Sequence, residues 1–313
     1  ITGDYNVAVG VNAAKNAIGG AYGTFIGANA GGSGVIAGGS NTCIGSGSGF
    51  QLTSGYSNVL IGRDAGVNVG NALAAENTGA EYCVAIGHAA LTLQNADVKN
   101  TAIGGLAGAA IQGGGNNTLV GYRSGNAIVS ATQNTVVGGD AFLLGTGGQN
   151  TIVGFNAGAN GVLSGGYNVL VGRSAGYSLT TGTHNTLLGP SAGEGMTTGT
   201  YNVAIGYQAA DSMVGASNYN IAIGKSALAG EESAADNCIA IGYHTLYAQN
   251  DANAINLAIG KSAGIAITTG TKNVLIGHDA GSALVDDSEN TAVGFQSLMT
   301  AQSTGNTAFG YFA

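Results

Sequence analysis

The side chains best suited to proton transfer or metal ligation are four histidines, His88, His184, His244 and His278. Each stands in a different stretch, with no second ligand at the short spacings that metal sites use. Serine, histidine and aspartate occur with no spacing that assembles a catalytic triad. Glycine runs such as Gly113-Gly114-Gly115 are not followed by the Gly-Lys-Ser/Thr of a phosphate-binding loop. The acidic group Asp286-Asp287-Glu289 reads as a solvated corner rather than a calcium site. Cys43, Cys83 and Cys238 are too few and too far apart for a disulfide framework or a metal knuckle, and read as buried small hydrophobes. The expectation is a protein that is not an enzyme and uses no metal or organic cofactor.

What remains is visible only through spacing. A five-residue motif, Asn-(Thr/Val)-(Ala/Leu)-(Ile/Val)-Gly, recurs eighteen times, from Asn6–Gly10 to Asn306–Gly310. The motif glycines lie 16 to 18 residues apart, except for the 25 residues between Gly62 and Gly87. That longer interval predicts an insertion near 67–81. Degenerate copies carry Gly23, Cys83 or Cys238 where the asparagine belongs. We number the places of one repeat from its asparagine, so the motif glycine is place five. Place six, just after it, holds Arg63, His88, Tyr122, Arg173, Tyr207, Lys225, Tyr243 and Lys261 among others. Stacked repeats would bring these into a column of alternating aromatic and cationic side chains. Such a column suits a glycan or an acidic polymer, and Arg63, Arg173, Tyr207, Lys225, Tyr243 and Lys261 are the candidate ligand-binding residues.

Each place of the motif has a geometric role. Glycine at place five marks a corner needing positive φ or close backbone approach. Place eight is always small, as at Ala65, Ala107, Ser124, Ala175, Thr245 and Ala280. A second glycine three residues before the next asparagine (Gly55, Gly165, Gly182, Gly199, Gly270) marks another corner. A 17-residue unit cannot bury a core by itself, but stacked units can. The expected fold is therefore all-β, a parallel β-solenoid or β-roll of about 18 coils spanning 1–313 as one elongated repeat domain. Parallel strands spaced about 4.8 Å apart make it a rod of roughly 80 Å, with the asparagines hydrogen-bonding along its axis. Side chains alternate across a strand, so places two and four share one face and place three takes the other. We assign places two and four to the coil interior. Place three is apolar as well, as at Phe25, Leu60, Leu119 and Leu170. A strand apolar on both faces is covered on both, which predicts a homo-oligomer, three-fold symmetry favoured, with Cys43 placed to meet its own copies.

Composition agrees with a periodic chain and excludes several classes. Glycine accounts for 58 of 313 residues, far above the usual share of about 7%. Proline occurs once, at Pro190, and tryptophan not at all. A net charge of −8 argues against nucleic acid, which demands clustered Lys and Arg. No apolar run approaches the roughly 20 residues that span a bilayer, so membrane insertion is not expected. Opening on Ile1, the sequence is expected to be a processed product or a window on a longer chain.

Asn202-Val203-Ala204-Ile205-Gly206, followed by Ala209, resembles the repeat of YadA-type trimeric adhesin heads. Asn185 to Asn202, with Ser191-Ala192-Gly193 and Thr197-Thr198-Gly199, resembles phage and prophage tail-fibre repeats. The resemblance covers nearly the whole chain, though its units are longer than the adhesin's. It implies a left-handed β-roll trimer outside the cell or on a virion, a fibre segment that attaches to a surface glycan or host receptor. Two alternatives stand beside it. Exposed terminal coils could stack into a structural filament. An ice-binding solenoid would use stacked Thr101, Thr118, Thr135 and Thr151, but these share a strand face with Ile103, Val120, Val137 and Val153 and are expected to point inward.

Overall fold

The computed structural model describes residues 3–32, 36–68, 81–94, 99–230, 235–251, 253–300 and 303–313. Most of the interval 67–81, where an insertion is expected, lies outside these residues. Eighteen three-residue strands, one per motif, form a β-solenoid with a repeat of about 17 residues, and the described residues contain no helix. The chain divides into two compact units, 1–152 and 153–313. The first carries β1 (Val7–Val9), β2 (Thr24–Ile26), β3 (Thr42–Ile44), β4 (Val59–Ile61), β5 (Val84–Ile86), β6 (Thr101–Ile103), β7 (Thr118–Val120) and β8 (Thr135–Val137). The unit boundary falls within β9 (Thr151–Val153). The second unit carries β10 (Val169–Val171), β11 (Thr186–Leu188), β12 (Val203–Ile205), β13 (Ile221–Ile223), β14 (Ile239–Ile241), β15 (Leu257–Ile259), β16 (Val274–Ile276), β17 (Thr291–Val293) and β18 (Thr307–Phe309). Neighbouring strands within each unit pair parallel and in register, so that Val203, Ala204 and Ile205 lie beside Ile221, Ala222 and Ile223. Like places therefore stack in columns.

The glycine of place five is required twice over. All eighteen have φ between 127° and 144°, which side-chain-bearing residues avoid. A Cβ at Gly206 would also lie 2.7 Å from the carbonyl oxygen of Gly224 on the next coil. Two further turns use the left-handed region mostly with residues other than glycine: place seven (Ser174, Gln208, Asp279) and the residue before most asparagines (Ser57, Tyr167, Tyr201).

The asparagine column is a buried ladder. Asn202 donates from both its backbone N–H and its Nδ2 to Oδ1 of Asn185, at 3.0 and 3.1 Å. The same Nδ2 donates to the carbonyl of Ser217 at 2.8 Å. Oδ1 of Asn202 in turn accepts both donors of Asn220. The pattern recurs from Asn100 to Asn117 to Asn134, and from Asn256 to Asn273 to Asn290. This pairing is what allows the ladder asparagines from Asn41 to Asn290 to sit fully buried.

The structure reverses the expected facing of the strands. From β2 to β18 the middle residue is buried in every strand, while places two and four are half-buried or exposed. Place three, not places two and four, lines the coil interior. Cys43 accordingly points inward and is fully buried, so it cannot meet copies of itself. The interior is filled by size complementarity between place three and place nine. Where place three is leucine, place nine is glycine: a Cβ on Gly176 would come within 3.0 Å of Leu170, and one on Gly193 within 2.8 Å of Leu187. In three coils with alanine at place three (Ala85, Ala222, Ala240) a buried leucine fills place nine (Leu91, Leu228, Leu246), whereas Ala102 and Ala258 are paired with Gly108 and Gly264 and Ala204 with Ala210.

The two cysteines in the ladder show how a missing rung is replaced. Place twelve is normally apolar and buried, as at Leu52, Ile111, Met196 and Ile267. After Cys83 and Cys238 it is instead Gln94 and Gln249, both fully buried. Gln94 accepts from Asn100 Nδ2 at 3.1 Å and Gln249 accepts from Asn256 Nδ2 at 2.7 Å, supplying the oxygen that a cysteine lacks. None of the three cysteines is in a disulfide, and burial pushes Cys43 up to about 12 and Cys238 up to about 11. Gln94→Leu alone strands a buried donor on Asn100 and should cost about 1–3 kcal/mol. Combined with Cys83→Asn the loss should be recovered, giving strong non-additivity in denaturant midpoints; additive effects would contradict the compensation.

Candidate functional site: the strand face and its two rims

Because place three turns inward, places two and four form the outer face of the sheet. Place four is aliphatic in every strand but β18, where it is Phe309, and place two alternates between Thr and Val, Ile or Leu. Ile103, Leu188 and Ile259 are each more than a third exposed. The threonines expected to face inward, Thr101, Thr118, Thr135 and Thr151, face outward beside Ile103, Val120, Val137 and Val153. Their direction is reversed by the same reversal of the strand faces.

The rim that follows the strand is the place-six column. Arg63 lies in the first unit, exposed, with its guanidinium against His88 Nε2 and 3.6 Å from the Asp64 carboxylate. Arg173, Tyr207, Lys225, Tyr243 and Lys261 all lie exposed in the second unit. Backbone bonds hold them at successive levels: Ser226 N–H donates to the Tyr207 carbonyl, His244 N–H to Lys225 and Ser262 N–H to Tyr243. The Lys225 ammonium sits between two rings, 5.9 Å from the centre of Tyr207 and 5.6 Å from that of Tyr243. Further along, His278, Phe295 and Tyr311 stack at 5.2 Å intervals. Cations and rings of this column thus engage one another along the stacking direction and leave their outer edges open.

A second rim precedes the strand, and sequence reasoning missed it. The residue before the asparagine is aromatic in four successive coils of the second unit. Tyr167, His184, Tyr201 and Tyr219 stack with ring centres 4.7 to 5.2 Å apart and planes within 17°. Tyr5 and Tyr22 make the same contact in the first unit. The column was readable by aligning the residue before each asparagine as well as the one after each glycine. Beside it runs a polar ladder in which Asn218 Oδ1 accepts the Thr200 N–H at 2.9 Å, with Asp236 accepting that of Asn218.

Away from the rims, at place ten of its coil, one carboxyl departs clearly from ordinary behaviour. Partial burial, and then the charge of Glu194 on the adjacent coil, push the Asp211 carboxyl up against a weak bond from Gln208 at 3.4 Å. Among the described residues no cluster of three or more His, Cys, Asp or Glu has the arrangement of a metal site, and no helix is long and apolar enough to cross a membrane. No family model matches the chain, and no curated protein is similar to it in sequence. The raised Asp211 favours its protonated form in the fold, so its contribution to stability is greatest at low pH and lost as pH rises through the folded value. Asp211→Asn should therefore raise the thermal midpoint at neutral pH and leave it little changed at pH 3; an unchanged midpoint at pH 7 would contradict the assignment.

Proposed function

We propose that this protein is a structural fibre segment that mediates attachment outside the cell or on a virion, and that it works as a homotrimer. The supporting observation is the outward apolar strand face. In the second unit the nine strands β10 to β18 give about 400 Å² of face, at about 4.8 Å between strands and about 3.3 Å per residue. The largest apolar patch on a monomer is usually about 300–600 Å², and a patch of that size is often functional. Such a face suits a partner, and copies packed around a shared axis would each bury the same surface. The motif's resemblance to trimeric adhesin heads and tail-fibre repeats points the same way.

Attachment in this reading is multivalent. Three copies present three place-six columns, so weak contacts to a surface glycan or host receptor add through effective concentration. Arg173, Tyr207, Lys225 and Lys261 carry this role. Replacing those four with Ser should weaken binding to a glycan-coated surface several-fold while the circular dichroism spectrum stays unchanged; undiminished binding would remove the column from attachment.

The outward threonines favour a second reading, an ice-binding solenoid, because a flat exposed Thr array on Thr101, Thr118, Thr135 and Thr151 is what that activity requires. The two readings need the same face in opposite states, covered or free. Native mass spectrometry should give a trimer that Ile205→Asp with Ile223→Asp converts to a monomer. A wild-type monomer showing thermal hysteresis at millimolar concentration would select the ice-binding reading instead.

A further inference from the structure

We infer that the place-six column of the second unit binds an acidic polysaccharide, laid along the stacking direction and carrying about one carboxylate or sulfate per disaccharide. The inference rests on the attachment reading and gives that column a ligand class.

Charge placement carries the argument. The second unit holds ten Asp and Glu against four Lys and Arg, yet three of those four cations, Arg173, Lys225 and Lys261, stand at place six. The fourth, Lys272, lies on the other rim, 3.5 Å from the Glu289 carboxylate. Arg173, Lys225 and Lys261 make no ion pair with any described residue. From Arg173 to Ser262, places six and seven carry no carboxylate; the next is Asp279. Glu194, Asp211 and Asp236, which belong to the same coils, fall on other columns. The column is a cationic track kept clear of acid on an otherwise acidic unit.

The rings hold this charge without cancelling it. Lys225 lies between Tyr207 and Tyr243, at 5.9 and 5.6 Å, contacts that position an ammonium and leave its net charge intact. A carboxylate partner would position it and neutralise it. A neutral glycan has no use for such a charge. An anionic one is drawn to it, at a place where the unit does not repel it. Tyr207 and Tyr243 are 48% and 40% exposed, and their phenolic hydroxyls can exchange hydrogen bonds with sugar hydroxyls beside the ion pair.

Spacing selects the polymer. Strands paired in register put successive coils about 4.8 Å apart. Lys225 and Lys261 are two coils apart, or about 10 Å, and Arg173 to Lys261 spans five coils, or about 24 Å. Two coils match the length of an extended disaccharide. Three cations over such a span are too sparse for a nucleic acid strand, which carries a phosphate about every 3.4 Å.

The test measures binding of the full chain to three immobilised polymers. They are hyaluronan, with one carboxylate per disaccharide, the same polymer with its carboxyls reduced to alcohols, and single-stranded DNA. Wild type should bind hyaluronan alone. Binding should weaken several-fold between about 0.01 and about 0.15 M salt, as the Debye length shrinks from about 30 to about 8 Å. Lys225→Gln with Lys261→Gln should weaken it about tenfold or more. Lys225→Arg with Lys261→Arg should retain most of it, and Lys272→Gln should change nothing. Equal binding of the reduced polymer, or an equal loss from Lys272→Gln, overturns the inference, because the charge of this column is then not what is read. Tighter binding of DNA overturns it in favour of a nucleic acid. Absence of hyaluronan binding at low salt overturns the acidic class. The attachment reading is then judged separately, by whether the four-serine variant loses binding to a glycan-coated surface.

Discussion

The asparagine ladder is the interaction on which the rest of the fold depends. Each amide fixes the next coil through two bonds to a single oxygen and ties the second corner of the following coil through a third. A buried amide is costly unless all of its groups are paired, and here pairing exists only when the coils are in register. One interaction therefore penalises both slippage and separation, in a chain whose strands are three residues long and would specify little alone. The glutamines behind Cys83 and Cys238 show how strict the requirement is: where the ladder loses an oxygen, a core position gives up an apolar side chain to restore it.

Register in turn makes columns, and columns make surfaces. Once like places stack, an outward aliphatic residue per strand becomes a continuous face, and a single aromatic before each asparagine becomes a stack of four rings. A given side chain counts here for its column more than for its own coil. Lys225 illustrates this, since its partners are the rings one level below and one level above. The same logic places a prospective partner along the stacking direction, against a surface that repeats at strand spacing.

The glycines serve this arrangement in different ways. At place five they supply both an unusual φ and the clearance that lets neighbouring backbones stack. At place nine they leave room for a leucine from place three. The high glycine content is thus distributed between corners and core, and only the first of these is a turn requirement. Left-handed tyrosines and serines show that the second corner sets its backbone by hydrogen bonding between coils rather than by residue type.

The repeat, its period, the parallel stacking, the glycine corners and the asparagine ladder were all legible in the sequence. Each follows from a local rule repeated eighteen times. So was the place-six column, whose members in the second unit do lie at successive levels of one rim. The inner and outer faces of the strand were not legible from alternation. Places two, three and four are all apolar, so the usual polar-out signal is missing and either facing satisfies the pattern. Tertiary structure decided it through volume: every leucine at place three meets a glycine at place nine, as at Leu119 and Gly125 or Leu170 and Gly176, and only inside a coil must such sizes match. That choice moved Thr101 and Ile103 outward and Cys43 inward, and with them the surface on which any partner must act.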